Sequence, residues 1–137
     1  MKFKYECLPS GVWFPILNIT LINPKAKKHV SNFKVLVDSG AAVSVFPASL
    51  GEAVGLDITS GNKVSLRGAT GVVEEQFLHN VMIVIGGHDI ELEVGFSYSF
   101  KFPFGLLGQR GFFEQSRICF DLPKKDFEII PKKKIVR

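Results

Sequence analysis

The fold is decided by the stretch Val35-Leu36-Val37-Asp38-Ser39-Gly40-Ala41. A continuous apolar run is typical of a buried strand, and this one ends in an acidic side chain at the start of a turn. Gly40 permits the backbone to approach closely in that turn. A carboxylate at the end of a buried strand has to be hydrogen-bonded or paired. Asp38 is therefore the candidate catalytic residue, although a D-S-G tripeptide by itself more often only starts a turn.

The rest of the chain predicts an all-β domain. Short segments rich in Val, Ile and Phe are separated by Gly, Pro and Asn. Strands are predicted over residues 16–22 and 33–37, with a polar turn at 23–28 between them. Residues 81–85 and 90–94 flank a glycine-containing turn and predict the clearest hairpin, because the second segment alternates apolar and acidic side chains.

A second hairpin is predicted over residues 63–78, with a glycine-rich tip. The alternation of residues 63–67 is interrupted by Gly68-Ala69-Thr70-Gly71 and resumes afterwards. A last hairpin is predicted to pair residues 118–122 with 127–130.

Helices are predicted to be minor. Pro47 is suited to a helix start, and Leu50 and Val54 have helical spacing, so residues 47–54 predict one or two turns. Residues 109–115 predict a second short helix.

The composition predicts one domain over residues 1–137, with a core at 16–130 and a basic tail at 131–137. The 137 residues are 46% hydrophobic and 22% charged, which is sufficient for a single core. The net charge of +4 comes mostly from lysines in the 23–28 turn and in the tail. Such clusters are usually solvated loops and tails.

The two cysteines, Cys7 and Cys119, are predicted to be ordinary buried thiols. They lie far apart and match no metal spacing, so a disulfide framework is not expected and a reducing cytoplasm fits best. The three histidines share no metal-ligand spacing, so no metal is expected. Gly68-Ala69-Thr70-Gly71 lacks the Lys-Ser or Lys-Thr ending of a phosphate loop, so no nucleotide cofactor is expected. No convincing secretory signal and no run of membrane-spanning length is found. A soluble cytoplasmic protein is therefore expected.

A further motif, Leu106-Leu107-Gly108, follows Asp38 after 68 residues, and the glycine-tipped hairpin lies between them. This ordered set resembles the retropepsin-like aspartic proteases, the single-lobe family that includes the retroviral proteases. The resemblance spans residues 16–130. It implies a mostly β fold, a closed or partly open β-barrel with one or two short helices.

The resemblance also implies a homodimer, because the family forms its active site on a two-fold axis. Asp38 would act with Asp38 of the partner subunit, and no other Asp in the sequence is followed by Ser or Thr and then Gly. Two close carboxylates share a proton, so one can activate water while the other protonates the peptide carbonyl. Ser39 would bond to the opposite active-site loop, Gly40 would bring its N–H to the carboxylates, and Ala41 completes the turn.

By the same resemblance the substrate is an extended polypeptide and the hairpin tip at residues 68–71 acts as a flap over it. Apolar subsites are expected from Val43, Phe46, Val72 and Leu106.

Two positions depart from the retroviral pattern. Ala42 replaces an Asp, and Gln109 follows the second motif where an Arg is usual. An ion pair common in retroviral members is therefore missing. Arg110 lies one position later, and its side chain would start from a different face.

Two alternatives remain open at this point. A peptide-binding or dimerising module could keep the fold without turnover. A basic β-barrel could bind nucleic acid, although the basic residues cluster in a turn and a tail rather than along one sheet face. No nucleic-acid or membrane partner is expected.

Overall fold

The computed structural model describes residues 1–67, 71 and 73–132, and strands account for most of them. The strands are β1 (Lys2–Lys4), β2 (Glu6–Cys7), β3 (Trp13–Phe14), β4 (Ile16–Asn23), β5 (Lys28–Val37), β6 (Val45–Pro47), β7 (Asn62–Arg67), β8 (Val73–Ile85), β9 (His88–Ser97), β10 (Gly105–Leu107), β11 (Ser116–Asp121) and β12 (Asp126–Pro131). The helix α1 spans Ala48–Ala53, and single 3-10 turns lie at Ile58–Ser60 and Phe113–Gln115.

Six strands close into a barrel in the order β4-β5-β10-β6-β9-β8, because β8 pairs back onto β4. The strand β7 extends the sheet beyond β8 as a hairpin arm. The β8–β9 turn is made by Gly86 and Gly87, which have φ angles of 53° and 82°. Two successive positive φ angles match the twist of the flanking strands, which explains the glycine pair. The predicted mostly β, closed barrel is confirmed.

The core explains why these segments are strands. Across the β8–β9 hairpin, Val81 faces Leu92 and Ile83 faces Ile90, and all four are buried. The residues between them in sequence point to the other side of the sheet, which produces the period of two. Phe46 is completely buried in this core. The expectation that it forms a substrate subsite was therefore wrong.

The place of β10 in the sheet determines where the two sequence motifs meet. The strand β10 lies between β5 and β6, parallel to the first through Leu106 and Leu36 and antiparallel to the second through Leu106 and Val45. The loop that leads from β5 to β6, residues 38–44, must therefore pass over the end of β10. This crossing brings the two sequence motifs together.

A smaller sheet of β1, β12 and β11 packs at the end of the barrel. Its central strand buries Phe127 and Ile129, and Phe3 packs on Phe127 with ring centroids 5.5 Å apart. The predicted last hairpin is confirmed as β11 and β12, whereas the pairing of β1 with β12 was not foreseen.

Two expectations need correction. The second short helix predicted at residues 109–115 is a single 3-10 turn at Phe113–Gln115. Cys7 and Cys119 are free, as expected, but both are exposed, so the prediction of buried thiols was wrong. In the part of the chain described, no helix is long and apolar enough to cross a membrane.

Candidate active site

Asp38 lies at the start of a tightly bonded turn at the end of β5. Its backbone N–H donates to the carbonyl of Leu107 at 3.0 Å, and its own carbonyl accepts from Ala41 N–H at 3.2 Å. The carboxylate oxygen Oδ1 accepts from Gly40 N–H at 2.9 Å. The turn therefore fixes the carboxylate in one orientation, as Asp turns commonly do.

The outer side of this turn faces solvent. Asp38 is half-buried, while Ser39 and Gly40 are exposed. A Cβ added to Gly40 would lie 3.2 Å from Asp38 Oδ1, so glycine leaves room for the bond between its N–H and the carboxylate. The half-buried carboxylate therefore lies beside an exposed surface that a second molecule can reach.

The motif Leu106-Leu107-Gly108 lies directly against this loop. Leu107 is completely buried and supplies the carbonyl that accepts from Asp38 N–H. A Cβ on Gly108 would collide with the carbonyl oxygen of Val43 and would lie 2.7 Å from that of Ala41. The glycine is therefore required because two backbone segments cross here.

Gln109 holds the Asp38 turn from outside. Its backbone N–H donates to Ala41 at 2.8 Å, and its side-chain Nε2 donates to the carbonyl of Ser39 at 2.7 Å. This departure from the retroviral pattern thus places a neutral hydrogen bond to the Asp38 loop where retroviral members commonly have an ion pair.

Arg110 does not take over the missing ion pair with the loop. Its backbone N–H donates to the carbonyl of Ala42 at 3.0 Å. Its guanidinium, however, pairs with Oε1 of Glu93, a residue of β9, at 3.2 Å. Ala42 itself is exposed and carries no charge. The loop is therefore held by backbone bonds and by Gln109.

Ser44 is a residue that sequence reasoning missed. It is 1% exposed, its hydroxyl accepts from Gly108 N–H at 3.0 Å, and it donates to the carbonyl of Arg110 at 3.4 Å. The available signal was a lone hydroxyl in the apolar run Val43 to Phe46, because a buried hydroxyl needs a partner. Ser44 joins the two motifs through side-chain bonds.

We expect Ser44→Ala to lower the free energy of unfolding by about 1 to 3 kcal/mol, because it leaves the buried Gly108 N–H without an acceptor. Ser116→Ala is the matched control, since Ser116 is also buried but its Oγ has no partner among the described residues. Urea unfolding of both variants gives the comparison. Equal losses in the two would contradict the role assigned to Ser44.

The hairpin predicted over residues 63–78 is present as the arm formed by β7 and the first part of β8, with Val64 opposite Gln76. At its predicted tip, Gly71 is exposed. The other tip residues, Gly68, Ala69 and Thr70, and the expected subsite residue Val72, lie outside the described residues. The arm contacts the loop that follows Asp38, because Val64, Leu66 and Leu78 line a cavity of about 70 Å³ together with Val43.

Larger clefts lie elsewhere. One of about 610 Å³ has a mainly polar lining that includes Asn23 and His79, and like the cavity of about 70 Å³ it does not include Asp38. The size of a cleft therefore does not identify the candidate active site in this protein. Within residues 1–67, 71 and 73–132, no group of His, Cys, Asp or Glu is placed to hold a metal ion.

Comparisons with known proteins show the family and support the fold. Residues 26–109 match the profile of a family described as aspartyl protease. The retropepsin-like aspartic protease from Rickettsia conorii is 14% identical, with a TM-score of 0.61 over 94% of this chain and 89% of that one. EIAV protease, solved with the inhibitor HBY-793, is 21% identical, with a TM-score of 0.51 over 70% of this chain and 82% of that one. No curated protein matches the chain.

Proposed function

The chain belongs to the aspartyl protease family, and from this premise we propose that it is an endopeptidase whose catalytic pair is Asp38 and Asp38 of an identical partner subunit. The observation that carries the proposal is the fixed, half-exposed carboxylate of Asp38 in a turn held by Gly40 and Leu107. A single chain offers one such acid, so the site is incomplete without a second copy.

The pair works because two carboxylates a few ångströms apart do not both ionise readily and therefore share one proton. The ionised member takes a proton from the attacking water, and the protonated member donates to the carbonyl oxygen of the peptide. Proton transfer to the nitrogen then expels the amine. The N–H of Gly40 engages Oδ1, which leaves Oδ2 of Asp38 for the shared proton and the water.

Dimerisation places a two-fold axis beside the Asp38 turn, because this is the arrangement that brings the two carboxylates together. Ser39 and Gly40 are exposed at that place. The hydroxyl of Ser39 makes no hydrogen bond within residues 1–67, 71 and 73–132, so it is free to bond to the partner's loop. The side-chain amide of Gln109 donates to the Ser39 carbonyl and thereby fixes the backbone of this contact surface.

The substrate is an extended polypeptide that lies between the Asp38 loop and the β7–β8 arm. An extended peptide can add to a sheet edge as a further strand, with alternate side chains entering pockets. The arm, including Gly71 and the tip residues Gly68, Ala69 and Thr70, then acts as a flap that excludes water from the reaction.

The test is digestion of an unfolded protein mixture from about pH 4 to about pH 7, with the cut sites read by mass spectrometry. Cleavage by the wild-type chain and none by Asp38→Asn is the expected result. Asp89→Asn is the matched control, because Asp89 is exposed at the start of β9, beside the Gly86-Gly87 turn. A wild-type chain that is a folded dimer and yet cuts nothing would favour a non-catalytic peptide-binding module instead.

A further inference from the structure

Two polar side chains lie on the cavity side of the β7–β8 arm. Glu74 stands opposite Leu66 and Gln76 stands opposite Val64. Alternation along β8 therefore places both on the same face of the sheet as Leu78, and Val64, Leu66 and Leu78 line the cavity of about 70 Å³. Neither polar residue belongs to the motifs that carry the proposed chemistry.

Both side chains bury an oxygen that has no partner. Gln76 is 2% exposed, and its Oε1 makes no hydrogen bond within the described residues. The same holds for Oε1 of Glu74. Burying an acceptor without a donor is costly, so two adjacent cases on one face suggest a donor that arrives with a ligand.

The backbone makes room for this arrangement. Gly95 lies on β9 opposite Leu78, and a Cβ on it would collide with the amide of Gln76. Gly95 therefore lets the Gln76 amide lie against the wall of the cavity, which Gly95 also lines.

Of the acidic residues near the cavity, Glu74 has no ion-pair partner among the described residues. Arg110 is paired with Glu93 at 3.2 Å. On the opposite face of the arm, Glu75 is paired with Lys63 at 3.2 Å. The cavity is lined by aliphatic side chains and by the paired Glu93 and Arg110, and Glu74 is an unpaired acid on the same face of the arm.

We propose, on the basis of the function proposed above, that this cavity is a substrate subsite for a basic side chain. The aliphatic stem of a lysine lies along Val43, Val64 and Leu78, and its ammonium donates to Glu74 and Gln76. Lysine and arginine commonly bury the stem against apolar surface while the charged head meets polar partners. A charge-assisted bond to a carboxylate is among the stronger hydrogen bonds in proteins.

The experiment compares peptide substrates that carry lysine or norleucine at each position in turn, since norleucine keeps the stem and removes the charge. At one position, lysine is expected to raise kcat/KM roughly tenfold over norleucine. Glu74→Gln is expected to reduce that ratio to about one. Glu75→Gln is the matched control, because its carboxylate points to the opposite face and the ratio should stay as in the wild type.

Gln76→Leu tests whether the lysine preference can be lost without a loss of folding. It replaces a buried unpartnered amide by an apolar side chain of similar size, so the thermal midpoint should stay unchanged or rise. The lysine preference should fall in this variant as well. A preference that survives in the double variant Glu74→Gln/Gln76→Leu, or no lysine preference at any position in the wild type, would overturn the proposal.

A binding measurement tests this subsite independently of the proposed catalysis. If the wild type does not cut, the same peptides, labelled with a fluorophore, are titrated with wild-type and Asp38→Asn chains and followed by anisotropy. Tighter binding of one lysine peptide that is lost in Glu74→Gln would support the subsite while the peptidase function fails. Equal binding of lysine and norleucine peptides, or no binding of either, would count against the subsite itself.

Discussion

Replacing Asp38 by Asn is expected to lower kcat/KM by about 10⁴-fold, which corresponds to about 5.5 kcal/mol of transition-state stabilisation. The amide has nearly the shape of the carboxylate, and its oxygen can still accept the N–H bond that Gly40 now donates to Oδ1. It can neither take a proton from water nor share one with the opposite carboxylate. The loss is therefore chemical rather than structural.

The measurement is steady-state cleavage of a peptide drawn from the mapped cut sites, with unfolding and sedimentation as checks of fold and assembly. The variant should unfold at nearly the wild-type urea concentration and should still dimerise. Asp89→Asn should retain wild-type activity. Activity of Asp38→Asn within tenfold of the wild type would exclude Asp38 as the catalytic acid or base.

Mixing the two chains tests whether both carboxylates are needed. When equal amounts of wild-type and Asp38→Asn chains are unfolded and refolded together, about a quarter of the dimers contain two wild-type chains. Activity per total chain should then fall to about a quarter of the wild-type value, because the mixed dimers hold one carboxylate. A fall to one half would mean that each subunit acts with its own acid.

Local sequence pattern was sufficient to predict an all-β fold and the position of Asp38 at the end of a buried strand, whereas the closed barrel was an implication of the family resemblance. Apolar alternation located the hairpin of β8 and β9, and the apolar run before Asp38 located the end of β5. The short helix α1 followed from Pro47 and the spacing of Leu50 and Val54. In each case the signal lies within a dozen neighbouring residues.

The contacts that hold the site could not be predicted, because they join residues far apart in sequence. Gln109 donates to the Ser39 carbonyl and Ser44 accepts from Gly108 N–H only because β10 passes between β5 and β6. A sequence pattern shows that Gln109 departs from the usual arginine, but it does not show which group the amide meets. The cysteine prediction failed for a related reason, since residue type alone does not fix which side of an edge strand faces the core.

Gly108→Ala is expected to lower the free energy of unfolding by about 3 to 4 kcal/mol, near the upper end of what overpacking costs. The new methyl group would collide with the carbonyl oxygen of Val43 and would lie 2.6 Å from its carbonyl carbon and 2.7 Å from the Ala41 oxygen. These are backbone atoms, so no change of rotamer relieves the contact. Moving them would break the bonds that Gln109 and Arg110 donate to the Asp38 loop.

Gly40→Ala is the matched control, because it adds the same methyl group within the Asp38 loop, against which Gly108 packs, and its nearest contact is different. Its Cβ would lie 3.2 Å from Asp38 Oδ1, a side-chain atom that can move by a few tenths of an ångström. We therefore expect Gly40→Ala to cost less than about 1 kcal/mol in urea unfolding, and its main effect to be on kcat through the displaced carboxylate. A loss in Gly108→Ala no larger than that in Gly40→Ala would show that the crossing of the two motifs can relax. The rigid coupling of Asp38 to β10 would then have to be abandoned.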